Sequence, residues 1–338
     1  MIIRKFISPK NKERIMSYFP YRLLERFKLQ NHPINFSVEL TTKCNALCDM
    51  CTRADLVKKK NLNVGDIKQE ILDKILRQMR KFHKAGKKVF FSPMGLGEPF
   101  LYSGLFNLFK KIKAIGNIPI VMATNGITLN EQISKKLIDL KVDEIIISLN
   151  TNNPESYTKQ IGVNAYNLVK KNTENLIKLR NNSGQKVPRV YIQYLDSENH
   201  PNKYEGDIKS WLKIMRYNDK CFVHNIANQA GFYSGSTNIT KQSFPCPQPF
   251  WRIAIKINGD IYPCDPCFYS GNQKINSLYL GNIKDVDLFE QFTNKSSRRF
   301  KVIQNMKQGN YSCLPECEKC NTYKLGSNPF FKIGNRWI

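Results

Sequence analysis

Short apolar runs alternate with amphipathic segments from residue 36 to about residue 230, and this alternation constrains the fold more than any other feature. The strand-like runs are FSVEL, KVFFSP, IPIVMAT, DEIIISLN, RVYIQYLD and CFVHNIA. Between them, apolar residues recur at every third or fourth position, as they do in amphipathic helices. Six strands joined by helices predict an α/β fold with a parallel sheet, either doubly wound or curled into a partial barrel. Such sheets bind their ligands at the carboxyl ends of the strands.

The composition predicts a soluble, cytoplasmic protein. A chain of 338 residues that is 41% hydrophobic can bury a large core. No apolar run approaches the about 18 residues of a membrane span, so we expect no membrane partner. The amino terminus lacks the apolar stretch and cleavage site of a signal peptide. The ten cysteines of a large, unexported chain are therefore expected to bind metal and not to form disulfides.

The chain carries an excess of positive charge, with 53 Lys and Arg residues against 27 Asp and Glu residues. A polyanionic partner such as RNA is one interpretation of this net charge of +26. A surface with dispersed, solvated lysines is the other. We favour the second, because the basic runs LVKKKN and SSRRFK are short and far apart. Nucleic acid is accordingly not expected as a partner.

Three cysteines, Cys44, Cys48 and Cys51, directly follow the first predicted strand in the stretch ELTTKCNALCDMCTR. Three thiolates suit an iron–sulfur cluster, zinc or copper(I). A structural zinc site needs four protein ligands, whereas a 4Fe–4S cluster held by three cysteines leaves one iron open. The position at the carboxyl end of a strand favours a catalytic cluster. A zinc site completed by a distant ligand is the alternative.

The sequence CNALCDMC resembles the signature of radical S-adenosylmethionine (SAM) enzymes, although Met50 stands where an aromatic residue is usual. The resemblance implies a partial (β/α)6 barrel in which the three cysteines bind a 4Fe–4S cluster and the open iron binds SAM. Its reduced cluster would cleave SAM, and the 5′-deoxyadenosyl radical would abstract hydrogen from a substrate C–H bond. The family also implies an electron donor such as a flavodoxin or a ferredoxin.

Polar or glycine residues end successive strands in the order that this family uses to bind SAM. The stretch MGLGEP resembles the family's glycine-rich motif, and ATNG, ISLN and YIQY end the next three strands. The resemblance implies that the SAM-binding residues are Gly95, Gly97, Glu98, Asn125, Ser148, Asn150 and Gln193.

A second group of cysteines begins after about residue 244. The spacing Cys246-x12-Gly259-x4-Cys264 resembles the SPASM/twitch domain of radical SAM enzymes, as does the later pair Cys317 and Cys320. A hairpin with a two-residue turn at Asn258-Gly259 would bring Cys246 and Cys264 together. These four cysteines are the predicted ligands of an auxiliary 4Fe–4S cluster.

Two alternatives remain open for this region. The pairs CDPC and CEKC also fit a zinc site, although the gap between them is long. Cys267 and Cys313 are left over, and either could replace one of the chosen ligands. A single helix, DVDLFEQFTNKSSRRFKVIQNMK, is predicted between the hairpin and the last cysteines.

The predicted domains are a helical extension (1–35), a radical SAM partial barrel (36–235) and a cysteine-rich SPASM/twitch domain (236–338). Four protein ligands would saturate the auxiliary cluster, which would then accept an electron and favour oxidation. We expect an oxidoreductase for a small carbohydrate- or aminocyclitol-like molecule, by dehydrogenation or epimerisation, because the cysteine spacing resembles that of twitch aminocyclitol dehydrogenases.

A peptide maturase, an RNA-modifying enzyme and a non-catalytic scaffold are the alternative functions. With only 35 residues before the barrel, we expect no leader-binding domain of the kind that many maturases carry. The sequence does not identify a catalytic acid or base.

Overall fold

A computed structural model describes residues 33–196, 203–224, 226–234 and 246–321. The helix predicted over IMSYFPYRLLERFKL lies outside these residues. The described strands are β1 (Ile34–Val38), β2 (Val89–Pro93), β3 (Val121–Thr124), β4 (Glu144–Asn150), β5 (Arg189–Leu195), β6 (Lys220–His224), β7 (Arg252–Ile255), β8 (Asp260–Tyr262) and β9 (Gly281–Asn282). The α-helices are α1 (Arg53–Lys58), α2 (Gln69–Lys84), α3 (Leu105–Lys113), α4 (Glu131–Asp139), α5 (Pro154–Ile161), α6 (Tyr166–Asn182), α7 (Glu205–Leu212), α8 (Gln248–Trp251), α9 (Leu288–Thr293), α10 (Arg298–Gln308) and α11 (Pro315–Lys319).

The first six strands run parallel in chain order. β1 pairs with β2, and β3 to β6 form a four-stranded sheet. The two sheets meet where Phe91 N donates to Pro119 O at 2.9 Å and Phe91 forms a parallel bridge with Ile120. The predicted partial (β/α)6 barrel is confirmed.

The cysteine-rich region continues the barrel sheet. β7 pairs in parallel with β1, so that Phe36 lies opposite Ile253 and Val38 opposite Ile255. β8 and β9 extend the same sheet in antiparallel order. This pairing covers the edge of β1 that would otherwise expose unpaired N–H and C=O groups.

The predicted two-residue hairpin turn is wrong by one residue. Lys256 N donates to Asp260 O at 3.0 Å, and Gly259 N donates to Lys256 O at 2.9 Å. The loop is therefore the three residues 257–259. Gly259 has φ +89°, the left-handed position that glycine fills in three-residue hairpin loops.

The single helix predicted after the hairpin is two helices, α9 and α10. The break follows from capping, because Ser297 Oγ accepts a hydrogen bond from Phe300 N at 3.2 Å and starts a new helix. The sequence reading also missed α1 and α5. Asn153 and Pro154 at the start of α5, and Gly162 at φ +75° after its end, are the start and stop signals that it overlooked.

The parallel sheet has two different faces. Its outer face packs against the helices in the main hydrophobic core, which includes Phe36, Ile145 and Ile192. Its inner face carries a separate small apolar cluster of Val121, Ile146 and Tyr191. No helix in the described ranges combines the length and the apolar character that crossing a bilayer requires.

A fully buried ion pair joins Arg180 of α6 to Asp219, the residue before β6. Asp219 accepts two hydrogen bonds of 2.6 Å from the guanidinium of Arg180, and further bonds from Val190 N at 2.8 Å and Arg216 N at 3.0 Å. Removing one member of such a pair leaves an uncompensated buried charge.

We therefore predict that Asp219→Ala lowers the free energy of unfolding by about 3–5 kcal/mol. Urea unfolding under anaerobic conditions measures this change. The control is Glu205→Ala, which breaks an exposed pair with Lys209 and should change stability by less than about 1 kcal/mol. Equal effects of the two substitutions would show that the buried pair contributes no more than a surface pair.

Candidate functional site

The three cysteines of the triad lie on one loop at the carboxyl end of β1. Cys51 N donates to Cys48 O at 3.1 Å, which closes the loop between them. Burial raises the pKa of all three thiols, and the charges of Cys51 and Cys44 help to raise that of Cys48 to about 12. The thiols are therefore neutral by themselves, and binding to iron would displace their protons.

The carboxyl end of helix α5 holds this loop in place. Leu47 N donates to Ile161 O at 2.9 Å, and Asp49 N donates to Gln160 O at 2.8 Å. On the other side of the triad, Arg53 Nε donates to Thr42 O at 2.7 Å. The loop is thus fixed by two backbone hydrogen bonds around Cys48 and by a side-chain hydrogen bond from Arg53.

The glycine-rich loop after β2 packs directly on the triad loop. A Cβ atom at Gly97 would lie 2.2 Å from Thr41 O and 2.7 Å from Lys43 O. Glu98 N donates to Lys43 O at 2.8 Å. Only glycine permits this approach of two backbones, so the loop that is predicted to bind SAM touches the loop that carries the cysteines.

Glu98 connects the ends of β2 and β3. Its fully enclosed carboxylate accepts hydrogen bonds from Thr124 Oγ1 at 2.7 Å and Asn125 N at 2.8 Å, and burial raises its pKa to about 7. Asn125 Nδ2 in turn donates to Asn45 Oδ1 of the triad loop at 2.7 Å. The Glu98 side chain is therefore engaged within the protein, and its predicted contact with SAM stays a prediction.

The remaining predicted SAM-binding residues lie together on β4 and β5. Ser148 and Gln193 are paired in register and half-buried on the inner face. The pairing shifts between Ser148 and Asn150, and Asn150 has φ +66°. Within the described residues, its buried Oδ1 atom has no hydrogen-bond partner. An unsatisfied buried amide oxygen fits a site whose polar ligand is still to bind.

Glu39, which sequence reasoning missed, joins three parts of the site. Its buried carboxylate accepts hydrogen bonds from Leu96 N of the glycine loop at 3.0 Å and from Ile257 N of the hairpin loop at 3.3 Å. Burial raises its pKa to about 7, although these hydrogen bonds and the charge of Lys256 act in the opposite direction. No motif marks this residue, because its partners are distant in sequence.

The four predicted auxiliary ligands line one cavity. Its walls include Cys246, Cys264, Cys317 and Cys320, and otherwise mainly apolar side chains such as Met306. Burial raises the pKa of Cys246 and Cys317, and the charges of the neighbouring thiols add to the effect. The cavity supports this choice of ligands, which stays a prediction.

The two leftover cysteines have different environments. Cys267 is buried outside the cavity lining, with its sulfur 3.5 Å from that of Cys264. Cys313 is exposed and accepts a hydrogen bond from Asn310 Nδ2 at 3.4 Å. Cys267 is therefore the nearer substitute for a chosen ligand.

The thiols do not form a ready-made site for a single metal ion within the described residues. In the part of the chain that the structure describes, no three Cys, His, Asp or Glu side chains are arranged to hold one metal ion. A single zinc ion would need its thiolates at about 2.3 Å from one point.

A short segment links the auxiliary cavity to the triad. It begins at Cys264 and continues through a 3₁₀ helix, Asp265–Ser270. Thr52 Oγ1 donates to Tyr269 O at 3.4 Å, and Asn272 N donates to Asn61 O at 2.8 Å. The two cysteine sites therefore belong to one continuous structure.

Two family models match the chain at these two sites. The model of the Radical SAM superfamily matches residues 38–192, which include the triad and the glycine loop. Residues 38–192 form a radical SAM domain. The model of the SPASM iron–sulfur cluster-binding domain matches residues 246–321, which include all four predicted auxiliary ligands. This radical SAM protein therefore has a SAM-binding 4Fe–4S cluster, an auxiliary iron–sulfur cluster and SAM as its cofactors.

The chain is similar to several known proteins. A Pyrococcus furiosus protein, named tungsten-containing aldehyde ferredoxin oxidoreductase cofactor-modifying protein, is 22% identical over 326 residues, covering 84% of this chain and 86% of that protein. Streptococcus suis SuiB bound to precursor peptide SuiA gives a TM-score of 0.60 at 17% identity, covering 94% of this chain and 81% of SuiB. BtrN in complex with AdoMet and 2-DOIA gives a TM-score of 0.54 at 16% identity, covering 86% of this chain and 93% of BtrN. The two structural likenesses show the radical SAM fold alone.

The cavity predicts which cysteines hold the auxiliary cluster. Anaerobically reconstituted protein should bind about eight irons, and Cys246→Ala or Cys264→Ala should leave about four. Iron analysis and Mössbauer spectroscopy measure this loss. Cys267→Ala and Cys313→Ala are the matched controls and should retain all the iron. If Cys267→Ala loses the cluster and Cys246→Ala keeps it, the proposed ligand set is wrong.

The buried Glu39 predicts a pH dependence of stability. Its folded-state pKa of about 7 lies above the ordinary 4.5, so the folded protein binds more protons than the unfolded chain between these values. The free energy of unfolding should therefore fall as pH rises through this range, by up to about 3 kcal/mol from this group.

Glu39→Gln should remove the decrease in unfolding free energy that Glu39 causes as pH rises. The decrease that Glu98 causes should remain. Urea midpoints at about pH 5 and pH 8 measure the difference. The control is Glu131→Gln, because a hydrogen bond from Lys135 lowers the pKa of this exposed carboxyl and keeps it ionised over the range. An unchanged pH profile in Glu39→Gln would contradict the prediction.

Proposed function

We propose that this radical SAM protein is an oxidoreductase that dehydrogenates or epimerises a small polar molecule, of the carbohydrate or aminocyclitol class, inside the barrel. The observation that carries the proposal is the polar inner face between the two cysteine sites. The triad lies at the carboxyl end of β1. Cys246 precedes β7, which is parallel to β1, and Cys264 follows the antiparallel β8, so both lie towards the amino end of β1.

Polar side chains occupy the inner face of the strands that separate the two sites. Asn35, Ser37 and Ser92 are fully buried, and within the described residues their side-chain polar atoms have no hydrogen-bond partners. Ser148 and Gln193 on the opposite part of the barrel are half-buried. A hydroxyl- or amine-bearing substrate can pair with such groups, whereas an apolar substrate would leave them unsatisfied.

Different residues of the site would bind the cofactors and orient the substrate. When bound, the SAM cluster and SAM together supply a 5′-deoxyadenosyl radical, which the triad and the glycine loop would place at the mouth of the barrel. Ser148 and Gln193, on neighbouring strands just inside, are the candidates to orient the substrate.

Oxidation at a CH–OH group would remove two hydrogens from the substrate. The carbon would give up a hydrogen atom to the radical, and the hydroxyl would give up a proton to solvent. The auxiliary cluster that Cys246, Cys264, Cys317 and Cys320 would hold would supply the acceptor for the remaining electron, so that a C=O bond could form. A site with four protein thiols leaves no iron open to the substrate and therefore fits electron transfer. The spacing of these cysteines, which resembles that of twitch aminocyclitol dehydrogenases, supports the substrate class.

Peptide modification is the second candidate. The fold similarity to SuiB, whose structure holds the precursor peptide SuiA, favours it. A peptide would have to reach the same inner face, so the two candidates differ in substrate size and not in the position of the chemistry.

We predict that the reconstituted, reduced enzyme converts SAM to 5′-deoxyadenosine that acquires deuterium from a C–H-deuterated sugar or aminocyclitol. Mass spectrometry of the 5′-deoxyadenosine measures the label, since the hydrogen atom moves directly from substrate carbon to the radical. A variant with Ala at Cys44, Cys48 and Cys51 is the control and should form no product. Label that arrives only from a peptide or an RNA would overturn the proposed substrate class.

A further inference from the structure

The glycine loop after β2 is attached at three points to the chain that continues from β1. Its first residue, Met94, donates from its backbone N to the last carbonyl of β1 at 3.0 Å, and Glu98 N donates to Lys43 O at 2.8 Å. Between these two points, Leu96 N donates to Glu39 Oε1 at 3.0 Å. The ends of the loop are thus held by backbone carbonyls, whereas its middle is held by a side chain.

The Glu39 side chain lies directly against the loop. A Cβ atom at Gly95 would lie 2.6 Å from Glu39 Cγ and 2.9 Å from Glu39 Oε1. Gly95 has φ +150°, a conformation that residues with a Cβ atom rarely adopt. Glycine at this position therefore lets the backbone follow the carboxylate, so that the next N–H group, that of Leu96, meets an oxygen.

The second oxygen of Glu39 faces the hairpin loop of the SPASM domain. Ile257 N donates to Glu39 Oε2 at 3.3 Å. The neighbouring Lys256 has other partners, because its Nζ donates to Ser270 Oγ at 2.6 Å and to Gly271 O at 2.8 Å. The carboxylate therefore accepts one backbone N–H group from the glycine loop and one from the SPASM hairpin.

We propose that Glu39 is a positioning residue for SAM, because it holds the glycine loop in its binding conformation while the SPASM hairpin holds Glu39. A carboxylate that is bonded through both oxygens keeps its orientation towards the Leu96 N–H group. The affinity for SAM then depends on a hairpin loop that has no predicted contact with SAM. This role rests on the predicted contact between the glycine loop and SAM, and it does not depend on which substrate the enzyme takes.

The first test is Glu39→Gln in the anaerobically reconstituted holoenzyme. Glutamine has nearly the same shape, but its NH₂ group cannot accept a hydrogen bond, so one of the two backbone N–H groups loses its acceptor. Equilibrium dialysis with labelled SAM, in the absence of substrate, should show an affinity lower by about tenfold. Iron content should equal that of the wild type, since Glu39 is not a predicted cluster ligand.

The second test removes the N–H group of the hairpin loop alone. Gly259 N donates to Lys256 O at 2.9 Å, and neither Ile257 nor Asn258 has a positive φ, so these four residues form a type I turn. Proline is favoured at the second position of such a turn. Ile257→Pro should therefore keep the turn and lower the affinity for SAM by about threefold or more.

The matched control is Ile257→Ala. This substitution shortens the side chain at the same position but keeps the N–H group, so it should bind SAM as tightly as the wild type. If Ile257→Ala weakens binding as much as Ile257→Pro does, the side chain is the relevant contact and the proposal is wrong. Wild-type affinity in either Glu39→Gln or Ile257→Pro would also overturn it.

Hydrogen–deuterium exchange before SAM is added measures the loop itself. Amides of residues 94–98 should exchange faster in Glu39→Gln and Ile257→Pro than in the wild type, and at the wild-type rate in Ile257→Ala. If Ile257→Pro loses auxiliary iron, the exchange of residues 256–259 in Glu39→Gln decides the question. Faster exchange there supports the link between hairpin and glycine loop, and unchanged exchange contradicts it.

Discussion

The parallel pairing of β1 with β7 is the contact on which the rest of the site depends. It joins the first strand of the radical SAM barrel to the first strand of the SPASM hairpin, from Asn35 opposite Arg252 to Val38 opposite Ile255. The triad lies beyond one end of this pair, and Cys246 and Cys264 lie towards the other. Since β1 has five residues, which rise about 3.3 Å each, the strand itself spans about 16 Å between the two ends. The spacing of the two sites is thus set by backbone hydrogen bonds.

The pairing also explains why a carboxylate is buried at the end of β1. Glu39 N donates to Ile255 O at 2.9 Å and so continues the ladder, while the side chain reaches the glycine loop and the hairpin loop. Two backbone N–H groups there need an acceptor, and a buried carboxylate supplies one oxygen to each. The hydrogen bonds offset part of the desolvation penalty, and the raised pKa shows that they do not offset all of it. The SPASM hairpin therefore contributes directly to the geometry of the glycine-rich loop.

Local patterns predicted the strands, most of the helices and the neighbourhood of the cysteines, because apolar periodicity and residue spacing are local quantities. They did not predict the docking of β7 on β1 or the position of Glu39, each of which depends on residues far apart in the chain. The broken helix at Ser297 and the missed helix α5 are different, since their caps were present in the sequence and outweighed by the longer apolar pattern. The auxiliary ligand set, the SAM contacts and the domain boundaries remain predictions.

The inner face of the barrel departs from the rule that buried polar groups find partners. Within the described residues, the side-chain polar atoms of Asn35, Ser37 and Ser92 have no hydrogen-bond partner, and these residues lie on adjacent strands with Ser37 opposite Ser92. Apolar side chains at these positions would avoid the loss of hydrogen bonds to water, as Val121 and Ile146 do on the neighbouring strands. Sequences break local rules of this kind at functional sites, where a ligand or ordered water supplies the missing partner. If the proposed polar substrate binds inside the barrel, these groups on the β1–β2 side, next to the hairpin that carries the auxiliary site, would be available to pair with it.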